Sequence, residues 1–141
     1  MIAIDTNILV YAHRAEMPKH KKALSRIVTL AEGTAPWALP VFVVGEFLRV
    51  ITHPRVFDPP HSIEEAALAV ERLLDSPSVR VLSPGDRWPS LLADAMREGD
   101  ARGNLVFDAQ IVALCREHGV STLLTDDRDF ARFELPTTRL G

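Results

Sequence analysis

Cysteine is almost absent from this sequence, since Cys115 is the only one among 141 residues. A single thiol cannot form an internal disulfide, and no group of cysteines and histidines has the spacing of a structural zinc site. Cys115 ends the apolar run IVALC, so we expect its side chain to be buried and unreactive. The fold must then be stabilised by an apolar core, which a chain of this length can bury.

Long hydrophobic runs and an excess of basic residues are missing as well. No apolar stretch approaches the roughly 20 residues that cross a bilayer, and the opening MIAIDTNILVYA lacks a charged start and a signal-peptide cleavage site. We therefore expect a cytoplasmic protein without a membrane anchor. The net charge of −3 is unlike that of a basic nucleic-acid coat protein, but it allows nucleic acid to bind at a local basic patch.

The residues that are present form an ordinary globular composition, with 47% hydrophobic and 25% charged residues. Short apolar segments alternate with amphipathic ones, which predicts an α/β fold: a three-layer α/β/α sandwich with a central, mainly parallel sheet. No linker or repeat interrupts the pattern, so we expect a single domain over residues 1–141. Strands are predicted at residues 2–4, 37–39, 79–82 and 122–125.

Six helices are predicted between these strands. Helical spacing of apolar residues covers residues 6–15, 18–32 and 41–53. A fourth helix opens at the capping-box pattern of Ser62 and Glu65. A fifth carries an apolar stripe from Trp88 and is stopped by Gly99, and the sixth runs from a cap at Asn104 to His118.

Acidic residues follow the first and the last predicted strand. Asp5 comes after the first, and Asp126 and Asp127 come after the last. Ligands of open α/β sheets bind beyond the carboxyl ends of the strands, so we expect these carboxylates at one edge of the sheet. For Asp5 taken alone, a helix N-cap is an equally good interpretation.

Two further carboxylates lie within apolar helical segments. Asp108 shares a helical face with Leu105 and Ile111, and a carboxylate on such a buried face must be protonated, paired or bound to a metal. Glu46 has mostly apolar neighbours at helical spacing. The structural alternatives are a buried ion pair of Asp108 with an arginine and a helix-surface pair of Glu46 with Arg49.

Together the acidic residues predict a site for a hard divalent cation. Converging carboxylates raise one another's pKa values, and Mg²⁺ relieves this repulsion because it prefers oxygen ligands. Such an ion can activate a water molecule and stabilise the leaving oxygen of a phosphodiester. The five histidines are scattered without ligand spacing, so no softer metal is expected.

Four segments carry a resemblance to a known family. They are IDTNIL (residues 4–9), EFLRV (46–50), DAQI (108–111) and TDDRDF (125–130), and they occur in this order across the chain. Their types and spacing resemble the PIN-domain ribonucleases, above all the VapC toxins of VapBC type II toxin–antitoxin systems. The segment ITHPRVF (51–57) resembles a stretch found in one subgroup of these toxins.

The resemblance implies a Mg²⁺- or Mn²⁺-dependent endoribonuclease that forms a homodimer and is inhibited by a VapB-like antitoxin. The four acidic positions of the family fall on Asp5, Glu46, Asp108 and Asp127. Asp5 and Asp108 match the principal metal ligands. Accessory positions fall on Asn7, Thr125 and Asp129. Asp126 and Asp129 remain alternatives to Asp127 as the fourth acid.

The expected reaction is hydrolysis by in-line attack of water on phosphorus, and the resemblance implies products with a 5′-phosphate and a 3′-hydroxyl. Transfer RNA and ribosomal RNA are both compatible targets. Candidate side chains for holding RNA are Arg14, Lys19, Lys21, Lys22, Arg49 and Arg55. Three alternatives remain: a non-catalytic PIN-fold RNA-binding or scaffold module, a DNA-cutting PIN nuclease, and a haloacid-dehalogenase-like phosphatase, which normally has a second Asp at the position of Asn7.

Overall fold

A parallel sheet forms the centre of the fold in the computed structural model, which describes residues 1–141. Its strands are β1 (Ile2–Ile4), β2 (Trp37–Pro40), β3 (Val79–Leu82), β4 (Thr122–Leu124) and β5 (Thr137–Thr138). The strand order is β3-β2-β1-β4-β5, and every neighbouring pair is parallel. The chain thus leaves β1 toward one edge of the sheet and later returns to fill the other edge.

Six helices flank this sheet. They are α1 (Thr6–His13), α2 (His20–Glu32), α3 (Val41–Ile51), α4 (Ile63–Leu74), α5 (Trp88–Gly99) and α6 (Leu105–Glu117). Helix α1 packs against α2 and α3, and α5 packs against α6. The predicted α/β architecture with a central parallel sheet is confirmed. None of the helices combines the length and the apolar character needed to cross a membrane.

The apolar runs of the sequence form the buried layer between sheet and helices. All of β2 is buried, and in β1 and β4 the side chains of Ala3, Ile4 and Leu123 are fully inaccessible. Parallel strands that are covered on both faces need this continuous apolar character. Cys115 lies fully buried in the same core region, as its apolar surroundings predict.

The helix ends agree in part with the sequence prediction. Ser62 and Glu65 form the complete capping box at the start of α4. Helices α1 and α3 each end two residues before the predicted boundary. The prediction that Asn104 caps α6 through its side chain is wrong, because Asn104 already has helical backbone angles and makes no side-chain cap hydrogen bond. A side-chain N-cap needs an extended backbone at the cap residue.

Strand β5 was not expected from the sequence. Its two residues are exposed threonines without an apolar alternation. They are held by the backbone, since the Leu123 amide donates to the Pro136 carbonyl at 3.0 Å and the Thr125 amide donates to the Thr138 carbonyl at 2.9 Å. A strand this short is specified by its neighbour in the sheet and has no signature of its own.

Two glycine substitutions test the packing of the helices. A Cβ at Gly45, within α3, would meet no atom within 4 Å, whereas a Cβ at Gly99 would lie 2.5 Å from Cε1 of Phe133. Gly45→Ala is expected to raise the free energy of unfolding by about 0.5–1 kcal/mol, and Gly99→Ala is expected to lower it by about 1–3 kcal/mol. Urea unfolding of both variants measures this, and shifts of the same sign would contradict the packing described here.

Candidate active site

The site lies where the order of the strands in the sheet changes direction. Strand β1 has β2 on one side and β4 on the other, so β1 and β4 border a topological switch point. Asp5 directly follows β1 and Thr125 directly follows β4, and the Asp5 amide donates to the Leu124 carbonyl at 3.0 Å. The parallel register therefore brings residues that are 120 positions apart in the chain into contact at the carboxyl edge.

Asp5 is buried and held by three hydrogen bonds. Its Oδ1 accepts from the Thr6 amide at 2.8 Å, and its Oδ2 accepts from the Thr125 hydroxyl at 2.6 Å and from Asn7 Nδ2 at 3.1 Å. Asp5 is thus the N-cap of α1 as well as a residue of the site. An ionised carboxylate offers about four acceptor positions, so Asp5 keeps one position for a further ligand.

Asn7 and Thr125 fix the loop that follows β4. The Thr125 hydroxyl accepts from the Asp127 amide at 3.0 Å, and Asn7 Oδ1 accepts from the Asp126 amide at 3.3 Å. Both residues therefore position this loop as well as Asp5. Asn7 stands where a haloacid-dehalogenase-like phosphatase would need a general acid, and its amide group cannot release a proton to a leaving group.

Three carboxylates converge, and two of them, Asp108 and Asp127, line the same cleft as Asp5. One oxygen each of Asp108, Asp127 and Asp129 lies within 4.8 Å of the others. Asp108 is in the first turn of α6, where the helix dipole favours a negative charge. Asp127 caps a short 3₁₀ helix (Arg128–Arg132) by accepting from the Asp129 amide at 2.9 Å. Local backbone structure therefore holds two of the acids close together.

Glu46 reaches the same region from α3. Its Oε2 accepts a hydrogen bond from the Thr6 hydroxyl at 3.1 Å. The alternative ion pair with Arg49 is not formed, and Asp108 has no arginine partner either. Both structural explanations for these apolar-flanked carboxylates are thereby removed.

Burial and mutual repulsion disfavour the ionised forms of these acids. Burial raises the pKa of Asp5 to about 6, against the hydrogen bond from Thr125, and the charge of Glu46 adds to the increase. Burial, together with the charges of Asp127 and Asp5, raises the pKa of Asp108 to about 7. The site therefore holds negative charge that no basic side chain neutralises, and a hard cation would relieve it.

Asp126 lies on the other side of the loop. Its carboxylate forms an ion pair with Lys19 and accepts from the Leu140 amide at 3.2 Å. Burial by itself would raise the pKa of Asp126, but the hydrogen bonds from Lys19 and Leu140 outweigh it and leave this pKa below its usual range. Of the three alternatives for the fourth acid, Asp127 and Asp129 lie beside Asp108, and Asp126 is turned away.

Two clefts meet at the carboxylates. The α3–α6 cleft, of about 790 Å³, contains Arg49 and Phe107 among its lining residues. The smaller α1–α3 cleft, of about 310 Å³, includes Asp5 and aromatic residues of α1 and of the segment after α3. The two clefts share three lining residues, which are Glu46, Asp108 and Asp127. The acids are therefore open to an extended ligand from two sides.

Phe107 and Gln110 are residues of the α3–α6 cleft that the sequence did not indicate. The side chain of Phe107 is 59% exposed, although a phenylalanine within an apolar helical segment is expected in the core. The only signal in the sequence is its position directly before Asp108. An exposed aromatic ring beside the acids offers a surface on which a base can stack.

The basic residues proposed to hold RNA fall into different environments. Arg14 is buried and donates to Glu16 and to the Pro59 carbonyl, and its guanidinium lies 4.2 Å above the centre of the Phe57 ring. Arg14 is therefore a structural residue. Lys19 is paired with Asp126, as described above. Arg49 lines the α3–α6 cleft, and Arg55 is exposed.

Asp108→Asn is expected to change how stability depends on pH in the metal-free protein. Because the pKa of Asp108 is raised to about 7, folding favours the protonated acid. The contribution of this protonated acid to the free energy of unfolding is fully present at about pH 4 and is lost as the pH rises through about 7. Urea unfolding in EDTA should show wild type losing stability relative to Asp108→Asn over this range. A constant difference between the two proteins would contradict the raised pKa.

Comparison with known proteins identifies the family to which this chain belongs. The PIN-domain profile matches residues 2–135. The VapC ribonuclease Mb2897 of Mycobacterium bovis is 39% identical over 133 residues, which cover 94% of this chain and 90% of that protein.

Solved structures agree on the fold. The Mycobacterium tuberculosis toxin VapC20, described as cleaving the sarcin-ricin loop, has a TM-score of 0.71 and 21% identity, and the match covers 96% of each chain. VapBC2 from Rickettsia felis, bound to a DNA fragment from its promoter, has a TM-score of 0.67 and 19% identity over 99% of this chain and 98% of that one. With the family profile and the 39% identical relative, this confirms the family inferred from the sequence segments: the chain belongs to the PIN-domain family and, within it, to the VapC ribonucleases.

Proposed function

We propose that this chain is a metal-dependent endoribonuclease, the toxin of a type II toxin–antitoxin pair, and that it hydrolyses RNA phosphodiester bonds. The observation that carries the proposal is the group of carboxylates without basic partners at the junction of two clefts. The proposed catalytic acids are Asp5, Glu46, Asp108 and Asp127. The VapC relatives, which are named as ribonucleases, support RNA as the substrate.

The residues of the site fit Mg²⁺ or Mn²⁺. All donors are carboxylate oxygens, which hard divalent ions prefer, and no cysteine or histidine belongs to the group. Asp108 and the free acceptor position of Asp5 would hold the ion, with Asp127 and Asp129 close by. When bound, the ion would lower the pKa of a water ligand and stabilise negative charge on the phosphate.

The chain's own residues supply position and proton transfer. The hydrogen bonds from Thr6, Asn7 and Thr125 set the orientation of the Asp5 carboxylate, so it is already placed when the substrate arrives. Glu46, oriented by the Thr6 hydroxyl, lies on the wall of both clefts and would accept the proton of the attacking water. Asp127 would orient this water for in-line attack. This route needs no catalytic histidine.

Cleavage of RNA by wild type and by Asp108→Asn is the direct test. We expect cleavage with Mg²⁺ or Mn²⁺, none in EDTA, and a loss of at least about 10²-fold in Asp108→Asn, the size typical of a lost catalytic group. Asp94→Asn is the matched control, because Asp94 is an exposed helical aspartate whose side chain forms an ion pair with Arg97, away from the carboxylates. It should keep full activity.

Other results of this assay separate the alternatives. Cleavage that survives both EDTA and Asp108→Asn would overturn the proposed mechanism. Metal-dependent cleavage of single-stranded DNA, but not of any RNA, would favour a DNA-cutting PIN nuclease. Metal binding without cleavage of cellular transfer or ribosomal RNA would favour a non-catalytic PIN module. Circular dichroism of each variant shows whether a loss of cleavage reflects unfolding.

A VapB-like antitoxin partner, a homodimeric state and a cytoplasmic location belong to the same proposal. The solved complex from Rickettsia felis supports a protein partner, and a cytoplasmic location follows from the proposed RNA substrate. Analytical ultracentrifugation is expected to give twice the mass of one chain. Co-expression with the antitoxin should yield a stable complex in which RNA cleavage is suppressed. A monomer, or a toxin whose activity no co-expressed antitoxin alters, would contradict this part.

A further inference from the structure

Helix α2 begins with charges that helix physics disfavours. Its first turn carries His20, Lys21 and Lys22, it contains no acidic residue there, and its N-cap Lys19 makes no side-chain cap hydrogen bond. Positive charge at this end opposes the helix dipole. Lys22 and Arg26 are also like charges four residues apart, which repel each other on a helix. Departures of this kind from the usual preferences at a helix N-terminus are expected mainly at functional sites.

These residues line a cavity between α2 and the segment after β5. The cavity measures about 570 Å³, and we call it the cationic pocket. Its polar lining consists of Lys21, Lys22, Ser25, Arg26, Thr29 and Arg139. No acidic residue lines it, and none of its four basic residues takes part in a salt bridge, although Lys22 donates to the Gly141 oxygen and Arg139 to the Asp126 carbonyl. In a chain of net charge −3, this is a concentrated positive surface.

The cationic pocket adjoins the acidic site through the loop after β4. Arg139, on the pocket wall, donates to the Asp126 carbonyl at 3.0 Å. The next residue, Asp127, belongs to the acidic group, and its Cα is only about 3.8 Å further along the chain. Leu124, which also lines the pocket, is followed directly by Thr125. One short loop therefore has the cationic pocket on one side and the carboxylates on the other.

An acidic site cannot by itself attract a polyanion. The carboxylates repel phosphates, and two of the basic residues considered for RNA binding, Arg14 and Lys19, are already paired within the protein. The attraction for a substrate strand must then come from basic residues outside ion pairs, which are Arg49 in the α3–α6 cleft and the larger group in the cationic pocket. Guanidinium groups, such as those of Arg26 and Arg139, are usual donors to phosphate oxygens.

We infer that the cationic pocket binds backbone phosphates of the RNA strand within a few nucleotides of the bond that is cut. The inference rests on the proposed function and extends it, because it assigns binding of the RNA backbone to a surface separate from the carboxylates. Contacts to phosphates position a strand without reading its sequence. The pocket accordingly sets affinity and register, while the α3–α6 cleft, lined by Phe107 and Gln110, would face the bases.

The double variant Lys22→Ala/Arg26→Ala tests the inference. Both side chains are exposed, so the fold should not suffer. The control is Arg72→Ala/Arg80→Ala, which removes the same charge, with Arg80 on β3 at the opposite edge of the sheet. Binding of a single-stranded oligouridylate is measured over a range of salt concentrations in EDTA, where wild type leaves the RNA intact.

The pocket variant is expected to weaken binding and to reduce the slope of log affinity against log salt by about 0.7 for each lost contact. The control should keep the wild-type slope. In cleavage assays with Mg²⁺, the pocket variant should raise KM and leave kcat unchanged, since the carboxylates are intact. A fall in kcat without a change of slope would show an effect on the catalytic site and overturn the inference.

Failure of the inference can be told apart from failure of the proposed function. If wild type cleaves RNA and the pocket variant matches the control in slope and KM, only the inference falls. If wild type cleaves no RNA, the salt slopes still show whether the pocket binds phosphates. A pocket variant that loses antitoxin binding but keeps the wild-type RNA slope would assign the pocket to an acidic protein segment and overturn the inference.

Discussion

Repulsion among carboxylates that the backbone holds together is the constraint on which the site depends. The sheet brings the ends of β1 and β4 side by side, α6 supplies Asp108 from its first turn, and the loop after β4 supplies Asp127 and Asp129. None of these positions can relax freely, because each is tied to secondary structure. The charge is relieved either by protonation, as the raised pKa of Asp108 shows, or by a divalent cation.

The loop after β4 divides two electrostatic surfaces. Asp126 is paired with Lys19 and accepts from the Leu140 amide, whereas its neighbour Asp127 belongs to the group of acids. Successive side chains of an extended backbone point to opposite faces. Asp126 and Asp127 can therefore have different partners on the two sides of the loop. A phosphodiester chain lying across this loop would have phosphates attracted on one side and the bond to be cut placed on the other. This separation allows binding and catalysis to be altered independently.

The sequence predicted the parts that follow from local pattern. Apolar runs gave four of the five strands, and the position of Asp5 after a strand together with the apolar surroundings of Asp108 indicated the site. Contacts between segments that are distant in the sequence could not be predicted in this way. The pairing of Asp126 with Lys19 depends on how α2 packs, β5 depends on the edge of β4, and the exposure of Phe107 depends on a cleft between two helices. Periodicity within one segment cannot specify contacts between segments.

Binding of Mn²⁺ to the protein without RNA is the most direct test of the account. Free Mn²⁺ can be followed by electron paramagnetic resonance at a pH above about 8, where Asp5 and Asp108 are ionised. We expect saturable binding to wild type, displacement by Mg²⁺, and much weaker binding to Asp108→Asn. If folded wild type leaves the Mn²⁺ signal unchanged, or if Asp108→Asn binds as tightly as wild type, the carboxylates do not form the proposed metal site.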